Sequence, residues 1–220
     1  MTTTVITGAS RGIGLELTKQ AAARGDDVIA VCRKPSAELE ALDVRVEPGI
    51  DVSVQEDVDR LAARLPDASI DMLINNAGIL TRQSLDDLDF DAIRRQFEVN
   101  SLGPLRVTAT LRGKLKNGAK VAVVTSRMGS VADNTSGSHY GYRMSKAAVN
   151  MAGVSLARDL KDRDISVILL HPGYVNTDMT NHTGNVEPAD AAAGILQRIE
   201  ELNLTTTGTF RHANGEALPW

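Results

Sequence analysis

Short apolar runs alternate with amphipathic stretches along the whole chain. Runs at 3–7, 27–32, 44–46, 71–75, 120–125 and 165–171 are brief, β-branched and bounded by turn-forming residues. They predict buried strands, with a last one near 207–211. Between them, apolar positions recur at helical spacing over 12–24, 53–65, 90–114, 142–163 and 188–202. Strict β/α alternation implies parallel strands joined by right-handed crossovers. The expected fold is therefore α/β: a doubly wound parallel sheet of about seven strands with helices on both faces. No repeat, low-complexity tract or linker divides the sequence, so residues 1–220 are expected to form a single domain. The stretches 133–139 and 181–187, rich in Asn, Thr, Ser and Gly, are expected to be surface loops.

Composition changes this picture little. The 220 residues are 42% apolar and 24% charged, which are ordinary globular values. A net charge of -4 gives no electrostatic reason to bind nucleic acid or an anionic membrane surface. The single cysteine, Cys32, cannot form an intrachain disulfide, and the first residues lack a basic region followed by an apolar stretch. A cytoplasmic protein is the expectation, with neither nucleic acid nor membrane as partner and a homo-oligomer left open. His139, His171, His182 and His212 have no metal-ligand spacing, so no metal is expected. Ser126 lacks the G-x-S-x-G elbow of a hydrolase.

Candidate chemistry gathers where the predicted strands end. Thr7-Gly8-Ala9-Ser10-Arg11-Gly12-Ile13-Gly14 follows the first strand. Glycines there permit a tight turn whose amides can approach a pyrophosphate at a helix N-terminus, although a Gly-rich turn can also be only a turn. The second strand ends Val31-Cys32-Arg33-Lys34, without the acidic residue that would bond the ribose of NAD. Arg33, Lys34 and Arg11 could form a cationic pocket for a 2′-phosphate, which points to NADP. Asp51-Val52 and Asn75-Asn76-Ala77-Gly78 follow the third and fourth strands, where this fold presents ligand contacts. Pro172-Gly173-Tyr174-Val175-Asn176-Thr177 follows the sixth. Asn100 falls inside a helical pattern, a position more common for a solvated amide than a functional one.

Tyr142 and Lys146 stand four residues apart at the start of a predicted helix, and Ser126 follows a β-branched run. A phenol, an ammonium on the same helix face and a neighbouring hydroxyl make a proton-donating group. The lysine charge is expected to lower the tyrosine pKa, and the serine to bond whatever oxygen the phenol protonates. Such a pair is otherwise commonplace on helix surfaces.

Taken together, these tracts resemble the short-chain dehydrogenase/reductase family, in the family's order and over nearly the whole chain. The ending Gly208-Thr209-Phe210 … Gly215-Glu216-Ala217-Leu218-Pro219-Trp220, with Ser126-Arg127-Met128-Gly129-Ser130, resembles a subgroup, the C-factor-like and sniffer-like carbonyl reductases. The resemblance implies that Tyr142 is the general acid or base and that Lys146 tunes it and holds the nicotinamide ribose. It implies that Ser126 orients the substrate oxygen, and that Asn100 kinks its helix and holds a water. It assigns the phosphates to Gly8, Ser10, Arg11, Gly12, Ile13 and Gly14, and the adenine to Asp51 and Val52. Asn76, Ala77 and Gly78 would line the cofactor's middle, with Pro172, Gly173, Val175 and Thr177 near its nicotinamide. Ser126 lies further from the tyrosine than is usual in the family, which makes Ser130 a rival. The segment 174–187, where the family builds a substrate lid, is short, which suggests an open pocket. The implied activity is NADP(H)-dependent interconversion of a small ketone or aldehyde and its alcohol. The alternative is a nucleotide-binding regulator or signalling protein with little or no turnover.

Overall fold

In the computed structural model, which describes residues 1–220, seven strands form one all-parallel sheet in the order β3-β2-β1-β4-β5-β6-β7. They are β1 (Thr3–Thr7), β2 (Asp27–Val31), β3 (Arg45–Glu47), β4 (Ile70–Asn75), β5 (Leu115–Val124), β6 (Ser166–His171) and β7 (Thr209–His212). The order reverses between β1 and β4, and the chain's Gly-rich turn lies at that switch point. Neighbouring residues of a strand enter different cores. Val5, Leu73, Val121 and Val167 pack with α3 (Gln55–Ala63) and α5 (Gly103–Thr110), whereas Ile6, Ile74, Ala122 and Ile168 pack with α1 (Gly12–Ala23) and α7 (Pro188–Glu201). Burial on both faces explains why these strands read as continuous apolar runs. Truncating a fully buried residue such as Leu73 to alanine would cost ~2–5 kcal/mol.

Four local features depart from the sequence reading. A short α2 (Ala37–Glu40), capped by the Ser36 hydroxyl accepting from the Leu39 amide, follows β2. β5 begins at Leu115, earlier than expected, because its first residues bulge away from β4 around Gly118 before the ladder resumes at Met72 and Lys120. α6 (Tyr140–Asp159) starts before Tyr142, which therefore lies within its first turn. The pattern over 90–114 is not one helix. It comprises α4 (Phe90–Phe97), a π turn (Glu98–Leu102) and α5. Pro104 has no N–H to give the Asn100 carbonyl, so the ladder is interrupted there, and the Gly103 amide reaches back to Glu98 instead.

Candidate active site

The carboxyl ends of β1, β4, β5 and β6 bring the predicted residues to one edge of the sheet. The turn after β1 is built around Gly14. A Cβ on Gly14 would lie 2.1 Å from the Gly8 carbonyl oxygen, closer than any side chain can stand. Asn76 bolts the tract after β4 to this turn, since its amide nitrogen donates to the carbonyls of Thr7 and Gly8 at 3.1 and 3.2 Å. The Thr7 hydroxyl accepts from the backbone amides of Asn76 and Ala77 at 3.1 and 3.2 Å. Thr7 was not singled out in the sequence. Its signal was only a polar residue ending an apolar strand before the first glycine.

The cations expected to gather near a 2′-phosphate have different partners. Arg11 pairs with Asp178 at 3.1 Å, and Arg33 Nη1 lies 3.9 Å from Asp51 Oδ2. Lys34 is exposed and has no charged partner. Burial alone would raise the Asp51 pKa. The Ser53 hydroxyl and amide, with Arg33 and Arg95, hold its carboxyl below the usual range. Val52 is buried, and its carbonyl accepts from Arg106 at 2.8 Å. On the opposite side of the switch point, the segment after β6 folds on itself. Val175 bridges Val186, and Thr177 and Thr180 cap a turn reciprocally. Gly12, Thr177 and the Arg11–Asp178 pair bring that turn against the glycine loop.

Asn100 is buried rather than solvated. Its side chain accepts from the Ile79 amide at 2.8 Å and donates to the Ile79 carbonyl at 2.9 Å and to the Ser145 hydroxyl at 3.1 Å. Gly78 stands between Asn100 and Lys146; a Cβ there would lie 3.4 Å from Asn100 Oδ1 and 3.8 Å from Lys146 Nζ. Lys146 is buried, donates to the Val124 carbonyl at 2.9 Å and sits 5.6 Å from the Tyr142 ring centroid. Burial pushes its ammonium down to about 8.

The Ser126 side chain lies close enough to Tyr142 to lower its pKa. The Ser126 hydroxyl accepts from the Met128 amide at 3.1 Å, whereas Ser130 spends its own hydroxyl on the Asp133 amide at 3.0 Å. The expectation that Lys146 lowers the tyrosine pKa does not hold in the free protein. Burial pushes Tyr142 up to about 12, and only the nearby Ser126 side chain opposes it. The ammonium lies over the ring face, so burial of the phenolate outweighs its attraction.

The sheet order and the group at its carboxyl edge define an oxidoreductase of the dinucleotide-fold class. The chain belongs to the short chain dehydrogenase family, whose model matches residues 2–187. It is 45% identical over its full length, and the full length of the relative, to 1-hydroxy-2-glutathionyl-2-methyl-3-butene dehydrogenase of Rhodococcus sp. (strain AD45). It is 46% identical to C-signal of Myxococcus xanthus over 69% of this chain and 93% of that protein. Among solved structures, an NADPH-bound carbonyl reductase from chicken fatty liver superposes with a TM-score of 0.92 at 26% identity, covering 99% of this chain and 98% of the other. No helix is long and apolar enough to cross a membrane.

Proposed function

We propose that this protein is an NADP(H)-dependent oxidoreductase that interconverts a small ketone or aldehyde and its alcohol, with Tyr142 as the acid or base. The observation that carries this reading is the gathering of Tyr142 and Ser126 with the buried Lys146, whose ammonium lies 5.6 Å from the Tyr142 ring centroid. The cofactor supplies the hydride. The chain's residues fit it: the turn at Gly14 leaves no room for a Cβ, and Lys146 commits one donor to Val124 and keeps others for a ribose. Gly8, Ser10, Arg11, Gly12, Ile13 and Gly14 would hold the phosphates, with Asp51 and Val52 at the adenine and Asn76, Ala77 and Gly78 between. Pro172, Gly173, Val175 and Thr177 would border the nicotinamide. Arg33, half freed from a 3.9 Å pair, would turn to the 2′-phosphate. Asn100 would hold a water toward Lys146. Ser126 would steady the substrate oxygen while Tyr142 gives it a proton, or takes one in the reverse direction. NADPH in the chicken carbonyl reductase supports the choice of cofactor, and the Rhodococcus relative supports an alcohol as one of the two partners.

A second reading, a nucleotide-binding signalling protein with little turnover, draws on the C-signal relative. One experiment separates them. Carbonyl compounds and alcohols, including a glutathionyl alcohol, are tested with NADPH and NADH, using wild type and Tyr142→Phe. Wild type should turn over, favour NADPH and lose activity by at least ~100-fold on Tyr142→Phe, with NADPH affinity retained. Tyr142→Phe active at the wild-type rate would remove Tyr142 as the acid or base, and a wild type that binds NADPH without turnover would favour the second reading.

A further inference from the structure

The two tracts that mark the subgroup, 126–130 and 208–220, are far apart in sequence and meet in space. After β7 the chain turns back. Ala217 bridges Arg211 in antiparallel fashion, and the Leu218 amide donates to the Phe210 carbonyl at 3.0 Å. Trp220 stacks on Phe210 with centroids 5.4 Å apart, and its carbonyl accepts from the Ala132 amide at 2.9 Å. This return segment presents Glu216 to Arg127, the residue directly after Ser126. Arg127 Nη2 donates to Glu216 Oε2 at 3.0 Å, and its Nε lies 3.4 Å from Asp133 Oδ2.

The clamp bears on the proton-donating group through a short turn. Ser126 caps the turn Arg127–Gly129, so the Met128 amide fixes which way the serine's remaining lone pair and proton can point. The turn is pressed against the helix that carries Tyr142 and Lys146. A Cβ on Gly129 would lie 2.7 Å from the Lys146 backbone carbon. Any roll of the turn therefore moves Ser126 relative to Tyr142.

We propose that Arg127 is a positioning residue for the Ser126 hydroxyl, clamped by Asp133 and by Glu216 of the return segment. The segment after β7 thereby sets the geometry of the proton-donating group without touching it. The proposal rests on Ser126 being the serine that steadies the substrate oxygen. Both charge pairs are only partly buried, so cutting one should leave the fold intact. Glu216→Ala should lower kcat for carbonyl reduction by roughly tenfold to a hundredfold, with NADPH affinity and the melting temperature nearly unchanged. In a Ser126→Ala background, Glu216→Ala should cause little further loss, because the residue it acts through is gone. Arg127→Glu combined with Glu216→Arg should recover part of the rate. A Glu216→Ala variant with wild-type kcat, or one whose loss is undiminished in the Ser126→Ala background, overturns the clamp. A Ser126→Ala variant with wild-type kcat instead overturns the serine assignment itself.

Discussion

At Lys146, burial and function oppose each other. An ammonium with an ordinary pKa would stay charged far into the alkaline range, but burial brings this one down to about 8. Tyr142, pushed up to about 12, keeps its proton throughout the working range of the free protein. In the proposed reaction, carbonyl reduction needs both the protonated phenol and the charged lysine. The kcat/KM for NADPH should therefore fall as pH rises through about 8, following Lys146 rather than Tyr142. Initial rates across pH 6 to 10 (roughly the span bracketing that pKa) would test this. A profile flat to pH ~10 would mean that the lysine keeps its ordinary value. Sequence alone identified the pair by its spacing. It could not give the sign of the tyrosine shift, because that depends on where the ammonium lies relative to the hydroxyl.

Helices and strands were legible where the pattern is regular, and illegible where it is broken on purpose. All seven strands and four of the five long helical patterns fall close to their predicted positions. The failure over 90–114 has a cause in the sequence itself, the Gly103-Pro104 dipeptide, which restarts a helix rather than continuing one. The π turn it leaves carries Asn100 inward, onto the backbone of Ile79, and Ser101 onto the Ser145 carbonyl. Pro104→Ala would restore the missing N–H and favour a continuous helix, turning Asn100 out of register. Carbonyl reduction should drop by about tenfold while thermal stability holds or rises. Equal activity in wild type and variant would show that the break is dispensable for turnover. Partners far apart in sequence, such as Asp178 for Arg11, left no local signal.

For the molecule as a whole, acid stability should be set early by a histidine. His171 ends β6 with its ring 5.0 Å from that of His212 in an edge-on contact. Burial, with His212, Arg127 and Lys146 nearby, pushes its pKa down to about 3. The unfolded chain takes up that proton near pH ~6.5, whereas the folded chain resists it. Stability due to His171 is therefore complete above pH ~6.5 and is lost as pH falls toward 3. Denaturant midpoints should fall between pH ~7 and ~5 in wild type and fall less in His171→Asn; parallel losses would remove His171 as the cause. The return of the chain after β7 has one more consequence, unconnected with catalysis. A parallel sheet ends in two margins, each a row of backbone groups on which a foreign strand could grow. On one margin Ala217 and Leu218 pair with Arg211 and Phe210, so those groups are already taken. On the other, β3 is three residues long and carries Arg45 bonded to Glu47 at 2.6 Å, a charged stub rather than a template. With one margin paired and the other cut short and charged, the sheet offers little for a foreign strand to extend, so crowding in a concentrated solution should not turn this fold into fibres.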